Sequence, residues 1–130
     1  MSGYLLDSSF VVPLLKEQIA GNAGDATRYL QRLPGPSRVY LSIISYAEIL
    51  EHAANPAELS KELRGRFRFV GVGQDIAERV ALMQTRAERR MGENDAWIAA
   101  TAAKGKLTLV GHDDEAFSNR PGLTYVNFRR

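Results

Sequence analysis

Short apolar runs alternate along this chain with longer stretches in which apolar residues recur every three or four positions. Tyr4-Leu5-Leu6 is too brief for a helix and suits a buried strand that ends at Asp7. Ser8 and Ser9, followed by Phe10-Val11-Val12-Pro13-Leu14-Leu15, read as a helix start with Pro13 in the first turn, where a missing N–H does least harm. A second helix is predicted over residues 24–33, stopped by Pro34-Gly35-Pro36. Arg38-Val39-Tyr40-Leu41-Ser42 reads as the next strand, residues 43–54 as a helix ended by Asn55-Pro56, and residues 57–65 as a short polar helix or loop. Residues 67–72 alternate as a half-buried strand should.

The clearest amphipathic helix is predicted over residues 75–91, with Ile76, Val80, Met83, Ala87 and Met91 as its apolar stripe. Its other side is basic: Arg79, Arg86 and Arg90 share a face, with Arg89 beside it. An alanine-rich helix follows Gly92 and is ended by Gly105, then a strand over residues 107–110. Residues 111–115 turn into a short helical segment around Ala116-Phe117, Pro121-Gly122 is a turn, and residues 123–128 form the last strand. Strands alternating with helices argue for an α/β fold with a mainly parallel sheet covered on both faces. Functional sites in such folds gather beyond the carboxyl ends of the strands, where Asp7 and Asp113 fall.

Candidate chemistry begins with Asp95. It lies in the first turn of Gly92-Glu93-Asn94-Asp95-Ala96-Trp97-Ile98-Ala99-Ala100-Thr101-Ala102-Ala103, and Ile98, Ala99 and Ala102 follow it on the same, buried face. An acid directed toward a core needs neutralisation, hydrogen bonds or a cation. Three further acids occupy comparable places: Asp7 after the first strand, Glu48 in the helix after the second, and Asp113 after the strand ending at Val110. Each has a simpler role open to it. Asn94 or Asp95 could cap its helix, Asp7 could cap the first one, Ser45 and Glu48 match a capping box, and Asp113 or Asp114 could serve a turn. Four carboxylates meeting at one sheet edge would repel one another unless a cation sat between them. Hard divalent ions such as Mg²⁺ or Mn²⁺ choose oxygen ligands, whereas zinc is disfavoured without cysteine and with His52 and His112 apart. His52 reads as a surface residue, and His112, beside the proposed site, as a candidate phosphate contact.

The composition adds bounds. At 130 residues, 45% apolar and 25% charged, the chain has the size and balance of one globular domain spanning residues 1–130. The absence of cysteine excludes disulfides, thiolate metal sites and cysteine nucleophiles. Neither a signal peptide nor an apolar run of membrane-spanning length is present, so a cytoplasmic protein with no membrane association is expected. The net charge of +2 leans only mildly toward a polyanionic partner, and the arginines at 79, 86, 89 and 90 are the candidate contacts for one, balanced by Glu78 and Glu88 if that face is merely solvated.

Leu5-Leu6-Asp7-Ser8-Ser9, Ser42-Ile43-Ile44-Ser45-Tyr46-Ala47-Glu48-Ile49-Leu50, the Asn94-Asp95-Ala96-Trp97-Ile98 stretch and Leu109-Val110-Gly111-His112-Asp113 resemble, in order, the motifs of PIN-domain ribonucleases, nearest to the VapC toxins of toxin–antitoxin modules. The resemblance covers nearly the whole chain. It implies a PIN-like three-layer sandwich with a five-stranded parallel sheet in order 3-2-1-4-5, a Mg²⁺- or Mn²⁺-dependent endoribonuclease, a homodimer and inhibition by a VapB-like antitoxin. It implies Asp7 and Asp95 as central metal ligands, with Glu48 and Asp113 completing the acidic cluster directly or through water and Ser8 and Asn94 in support. Asp114 is the alternative fourth acid. One departure stands out: many relatives carry Ser or Thr where this chain has Gly111, so a hydroxyl near the acids is missing. That departure keeps open a non-catalytic PIN-like module that binds protein or RNA. A receiver-type signalling domain would need paired acids after the first strand and a lysine after the last, which this chain lacks.

Overall fold

The computed structural model describes residues 3–130. Five parallel strands form one sheet in the order β3-β2-β1-β4-β5: β1 (Gly3–Leu6), β2 (Arg38–Ser42), β3 (Arg68–Val70), β4 (Thr108–Gly111) and β5 (Tyr125–Asn127). This is the expected sheet and order. Among the described residues, seven helices connect them: α1 (Ser8–Ala20), α2 (Asp25–Arg32), α3 (Ile43–Glu51), α4 (Pro56–Arg66), α5 (Gln74–Arg86), α6 (Glu93–Gly105) and α7 (Asp114–Phe117). Successive strand residues point to opposite faces, so neighbours in sequence enter different cores. Leu6 and Val110 pack with Phe10, Val11 and Leu14 of α1, while Leu5 and Leu109 pack with Ile98, Ala99 and Ala102 of α6. Ala96, Ala99, Ala100 and Ala102 of α6 are fully buried, and their small side chains let that helix lie close to the sheet. None of the described helices is long and apolar enough to cross a membrane.

Several local details differ from the sequence reading. Because α1 already begins at Ser8, Pro13 sits in its second turn, where its missing N–H withdraws the ladder bond to the Ser9 carbonyl. The polar stretch before β3 is a full helix, started by Asn55, whose side chain accepts from Glu58 N, and by Pro56 in its first turn. The amphipathic helix stops at Arg86, five residues short of the predicted end, and Ala87 is extended. Gln84 replaces the lost turn: its amide donates to Met91 O at 2.9 Å and accepts from Met91 N at 3.0 Å. Met91 thus reaches the core from a loop instead of a helix, and Arg90 does not share the face of Arg79 and Arg86.

Candidate active site

The four predicted acids approach one another at the carboxyl edge of β1 and β4. Asp7 leaves β1 and is 4% exposed. Burial pushes its carboxyl up, opposed by the hydrogen bonds from Ser9 and the nearby Ser8 backbone N–H, and the charge of Asp113 raises it further. Asp95 is pushed up to about 6, first by burial and then by the charges of Asp7, Asp113 and Glu48, with Arg120 pulling the other way. Each of the other three acids therefore lies within electrostatic reach of Asp95.

The simpler roles account for these acids only in part. Asp7 does cap α1, but through Oδ2 alone, which accepts from Ser9 N at 3.2 Å and Ser9 Oγ at 2.5 Å. Asp113 caps α7 through Oδ1, which accepts from Ala116 N at 3.1 Å. Among the described residues, the second carboxylate oxygen of each has no hydrogen-bond donor, and neither oxygen of Asp95 has one. The capping box at Ser45 and Glu48 does not form. Ser42 is the N-cap, accepting from Ser45 N at 3.0 Å, which leaves Glu48 a turn further on and free to face the cluster. Glu48 is steadied by long contacts from Ser8 Oγ at 3.4 Å and Asn94 Nδ2 at 3.3 Å, the two residues expected in support. Gly92, with no side chain to offer, occupies the N-cap of α6, so neither Asn94 nor Asp95 is spent there.

Asp113 and Asp114 separate clearly. Asp114 turns away and accepts from Tyr125 Oη at 2.9 Å, Asn127 Nδ2 at 3.1 Å and Arg130 Nη1 at 2.9 Å, and the hydrogen bonds from Asn127 and Tyr125 lower its pKa. Asp113 instead shares a cavity of about 300 Å³ with Asp95. His112 is exposed, its N–H donating to Ser9 Oγ at 2.8 Å and its Nδ1 paired with Asn127 Oδ1 at 3.1 Å. His52 is exposed, at the C-cap of α3.

Two residues that the sequence reading passed over shape this edge. A Cβ on Gly111 would stand 2.8 Å from Ser9 Oγ and 3.1 Å from Asp7 Cβ, so the space a side chain would take is already filled. The Ser9 hydroxyl lies against Asp7 and ties it to β4 through His112 N. The Gly111 departure was the available clue to it. The second is Arg120, 9% exposed, which lines the acidic cavity together with Arg89 and Arg90. It sits in an irregular turn where no periodicity marks it. A neighbouring cavity of about 530 Å³ is lined by Arg79, Arg86, Arg89 and Arg120.

A divalent cation is the group such a cluster implies. Among the described residues no three acids or histidines converge closely enough to enclose an ion. The donor set still suits Mg²⁺ or Mn²⁺, which characteristically take one or two direct carboxylates and keep several waters. Asp95 with no donor of its own, and Asp7 and Asp113 with one spare oxygen each, fit such a hydrated ion.

The PIN domain model matches residues 4–123. The chain belongs to the PIN domain family. The same architecture recurs in VapBC-1 of nontypeable Haemophilus influenzae, with a TM-score of 0.80, 21% identity, and coverage of 98% of this chain and 99% of that one. A toxin–antitoxin complex from Klebsiella pneumoniae matches at TM-score 0.70 and 25% identity, covering 96% of this chain and 97% of that one. A sarcin–ricin loop cleaving toxin, VapC20 of Mycobacterium tuberculosis, matches at TM-score 0.63 and 21% identity, over 86% of this chain and 91% of that one. No curated protein matches the chain. As a PIN domain, it carries the acids of its four motif-like stretches at one edge of the sheet.

Proposed function

We propose that this PIN domain is a Mg²⁺- or Mn²⁺-dependent endoribonuclease, the toxin of a VapBC-type pair, acting in the cytoplasm as a homodimer and held in check by a VapB-like antitoxin. The observation that carries the reading is geometric: Asp95, with no hydrogen-bond donor among the described residues, shares a cavity with Asp113 and one sheet edge with Asp7 and Glu48, and burial and these charges push its carboxyl up to about 6. Such mutual repulsion is costly in the folded protein and is relieved by a cation. The similar toxin–antitoxin structures supply the antitoxin and the RNA as the partners to test.

Asp7 and Asp95 would hold the ion directly, with Glu48 and Asp113 acting through water or as further ligands. A bound divalent ion supplies Lewis-acid polarisation of the attacked phosphate and a lowered pKa for the water that attacks it. The chain's own residues orient that chemistry. Ser9 fixes one face of Asp7, Asn94 and Ser8 steady Glu48, and the N-terminus of α6 presents Asp95 with its helix dipole favouring negative charge. Most of the barrier reduction in phosphoryl transfer comes from such positioning and electrostatics.

The test is cleavage of structured RNA with Mg²⁺ or Mn²⁺ and with chelator, by the parent protein and by Asp95→Asn. Metal-dependent cutting that the variant loses supports the reading. Equal cutting by both, or none by either with metal supplied, removes it and leaves a PIN-like binding module.

A further inference from the structure

We infer that Arg120 binds RNA, gripping a backbone phosphate beside the one under attack, at the seam between the acidic cavity and the larger arginine-lined one. The inference takes the RNA substrate proposed above as its starting point. Arg120 is more than nine-tenths buried, yet among the described residues no carboxylate comes within 4 Å of it. Its Nε donates to Ala116 O at 2.8 Å and its Nη1 to Arg89 O, while Nη2 has no partner among the described residues. Carbonyl oxygens satisfy donors but leave the full positive charge in place. A guanidinium does not give up its proton, and burying it without a counter-charge is expensive.

The surroundings compound that cost instead of relieving it. Arg89 lies close enough to lower the pKa of Arg120 by repulsion, after burial, and only Asp95 draws it back. Arg79 and Arg86 line the same larger cavity, in which Glu88 is the sole acid. Arg120 belongs to the walls of both cavities, so one side faces the acids and the other faces the arginines.

A purely structural staple between α7 and the loop at residues 87–92 would need two donors, not a charge, and Gln84 already secures that loop. The anion that suits the seam is a phosphodiester. Leu82 and Met83 add apolar wall to the arginine-lined cavity, a surface for the flat ring that accompanies each RNA phosphate and that an acidic peptide lacks. A bidentate grip on phosphate is the task for which the planar fork of Arg is suited.

The experiment measures binding of a fluorescent, single-stranded, mixed-sequence RNA 12-mer to the Asp95→Asn protein with Mg²⁺, across a range of salt. Arg120→Gln is then added, since glutamine keeps a donor for one carbonyl and loses the charge. The expected result is an affinity loss of about tenfold and a fall of about 0.7 in the slope of log affinity against log salt, with an unchanged circular dichroism spectrum. Arg120→Lys should keep the slope and lose a few-fold in affinity, and it decides the matter if the glutamine variant does not fold.

Affinity that ignores both substitutions, or no RNA binding by the Asp95→Asn parent, overturns the inference. So does a loss of affinity for a poly-aspartate decapeptide with RNA binding intact, which would assign the seam to a protein partner. The binding readout does not depend on cleavage. A wild-type protein that fails to cut RNA overturns the proposed activity, and one that cuts while residue 120 leaves affinity unchanged overturns only this inference.

Discussion

Two carboxylates near helix N-termini behave in opposite ways. Glu17, reaching from α1, accepts from Gly24 N at 2.8 Å, Thr27 N at 2.9 Å and Ala26 N at 3.1 Å, closing the start of α2. Burial pushes its carboxyl up, but the bonds from Thr27, Gly24 and Ala26 outweigh this and hold it at about 2. Gly24 is required for so close an approach, since a Cβ there would stand 2.7 Å from the Glu17 carboxyl carbon. Asp95, in the first turn of α6, has no donor among the described residues, faces three acids and stands at about 6. The first acid is saturated by backbone donors and works for the fold. The second is left without a donor among the described residues, and the fold bears the repulsion of keeping it charged.

The sharpest way to break this contrast is to remove each charge in turn. Asp95→Asn should lower metal-dependent RNA cleavage by about 10³-fold or more, as expected when a group that positions charge in phosphoryl transfer is lost. The same substitution should raise the melting temperature in metal-free buffer at pH 8 by a few degrees, because it removes repulsion. Added Mg²⁺ should stabilise the parent in a thermal melt and the variant much less. A melting temperature that falls, or an equal response to Mg²⁺, would put Asp95 among the structural acids.

The next test concerns Asp7 and the hydroxyl beside it. Gly111→Ser forces a Cβ against Ser9 Oγ and should cost about tenfold in cleavage, whereas Gly111→Ser with Ser9→Ala should recover part of that loss. Additive losses in a double-mutant cycle would show that the two positions do not share one space.

The pH dependence of stability separates the two acids by sign. The raised pKa of Asp95 means the folded state holds its proton more tightly than the unfolded chain, so its charge penalty is full above about pH 6 and is relieved as pH falls toward 3.8. The lowered pKa of Glu17 works the other way: its stabilisation is full above 4.5 and is lost as pH falls toward 2. Denaturant titrations of Asp95→Asn without metal should lose the first slope, and those of Glu17→Gln the second. At neutral pH Glu17→Gln should cost only about 1 kcal/mol, the scale of a helix cap, and leave cleavage unchanged.

The outline of the fold was open to sequence reasoning because each strand is a short apolar run closed by a turn signal or an acid, as Tyr4-Leu5-Leu6-Asp7 shows. What escaped it depended on which of two competing local bonds formed. Ser45-x-x-Glu48 fits a capping box, but Ser42 stands three residues earlier and takes the cap, so Glu48 is left for the acidic edge. Periodicity alone carried α5 on to Met91, because Met91 is buried; the side chain of Gln84, not a helical turn, brings it there. Asp113 and Asp114 are indistinguishable by composition, and only the positions of Tyr125 and Asn127 across the sheet decide between them. Ser9 and Arg120 each join a local partner to one distant in the chain, Ser9 linking Asp7 to His112 and Arg120 linking Ala116 to Arg89, and the distant half is what sequence alone does not show.

The reciprocal pair between Gln84 and the backbone of Met91 also bears on the kinetics of association. A connector held by two hydrogen bonds at its far end holds Arg89 and Arg90 already arranged, so in the proposed nuclease an incoming RNA strand would meet a preset surface with little entropy left to lose there. Encounter can then be governed by diffusion and charge, with no rearrangement of this segment to slow it.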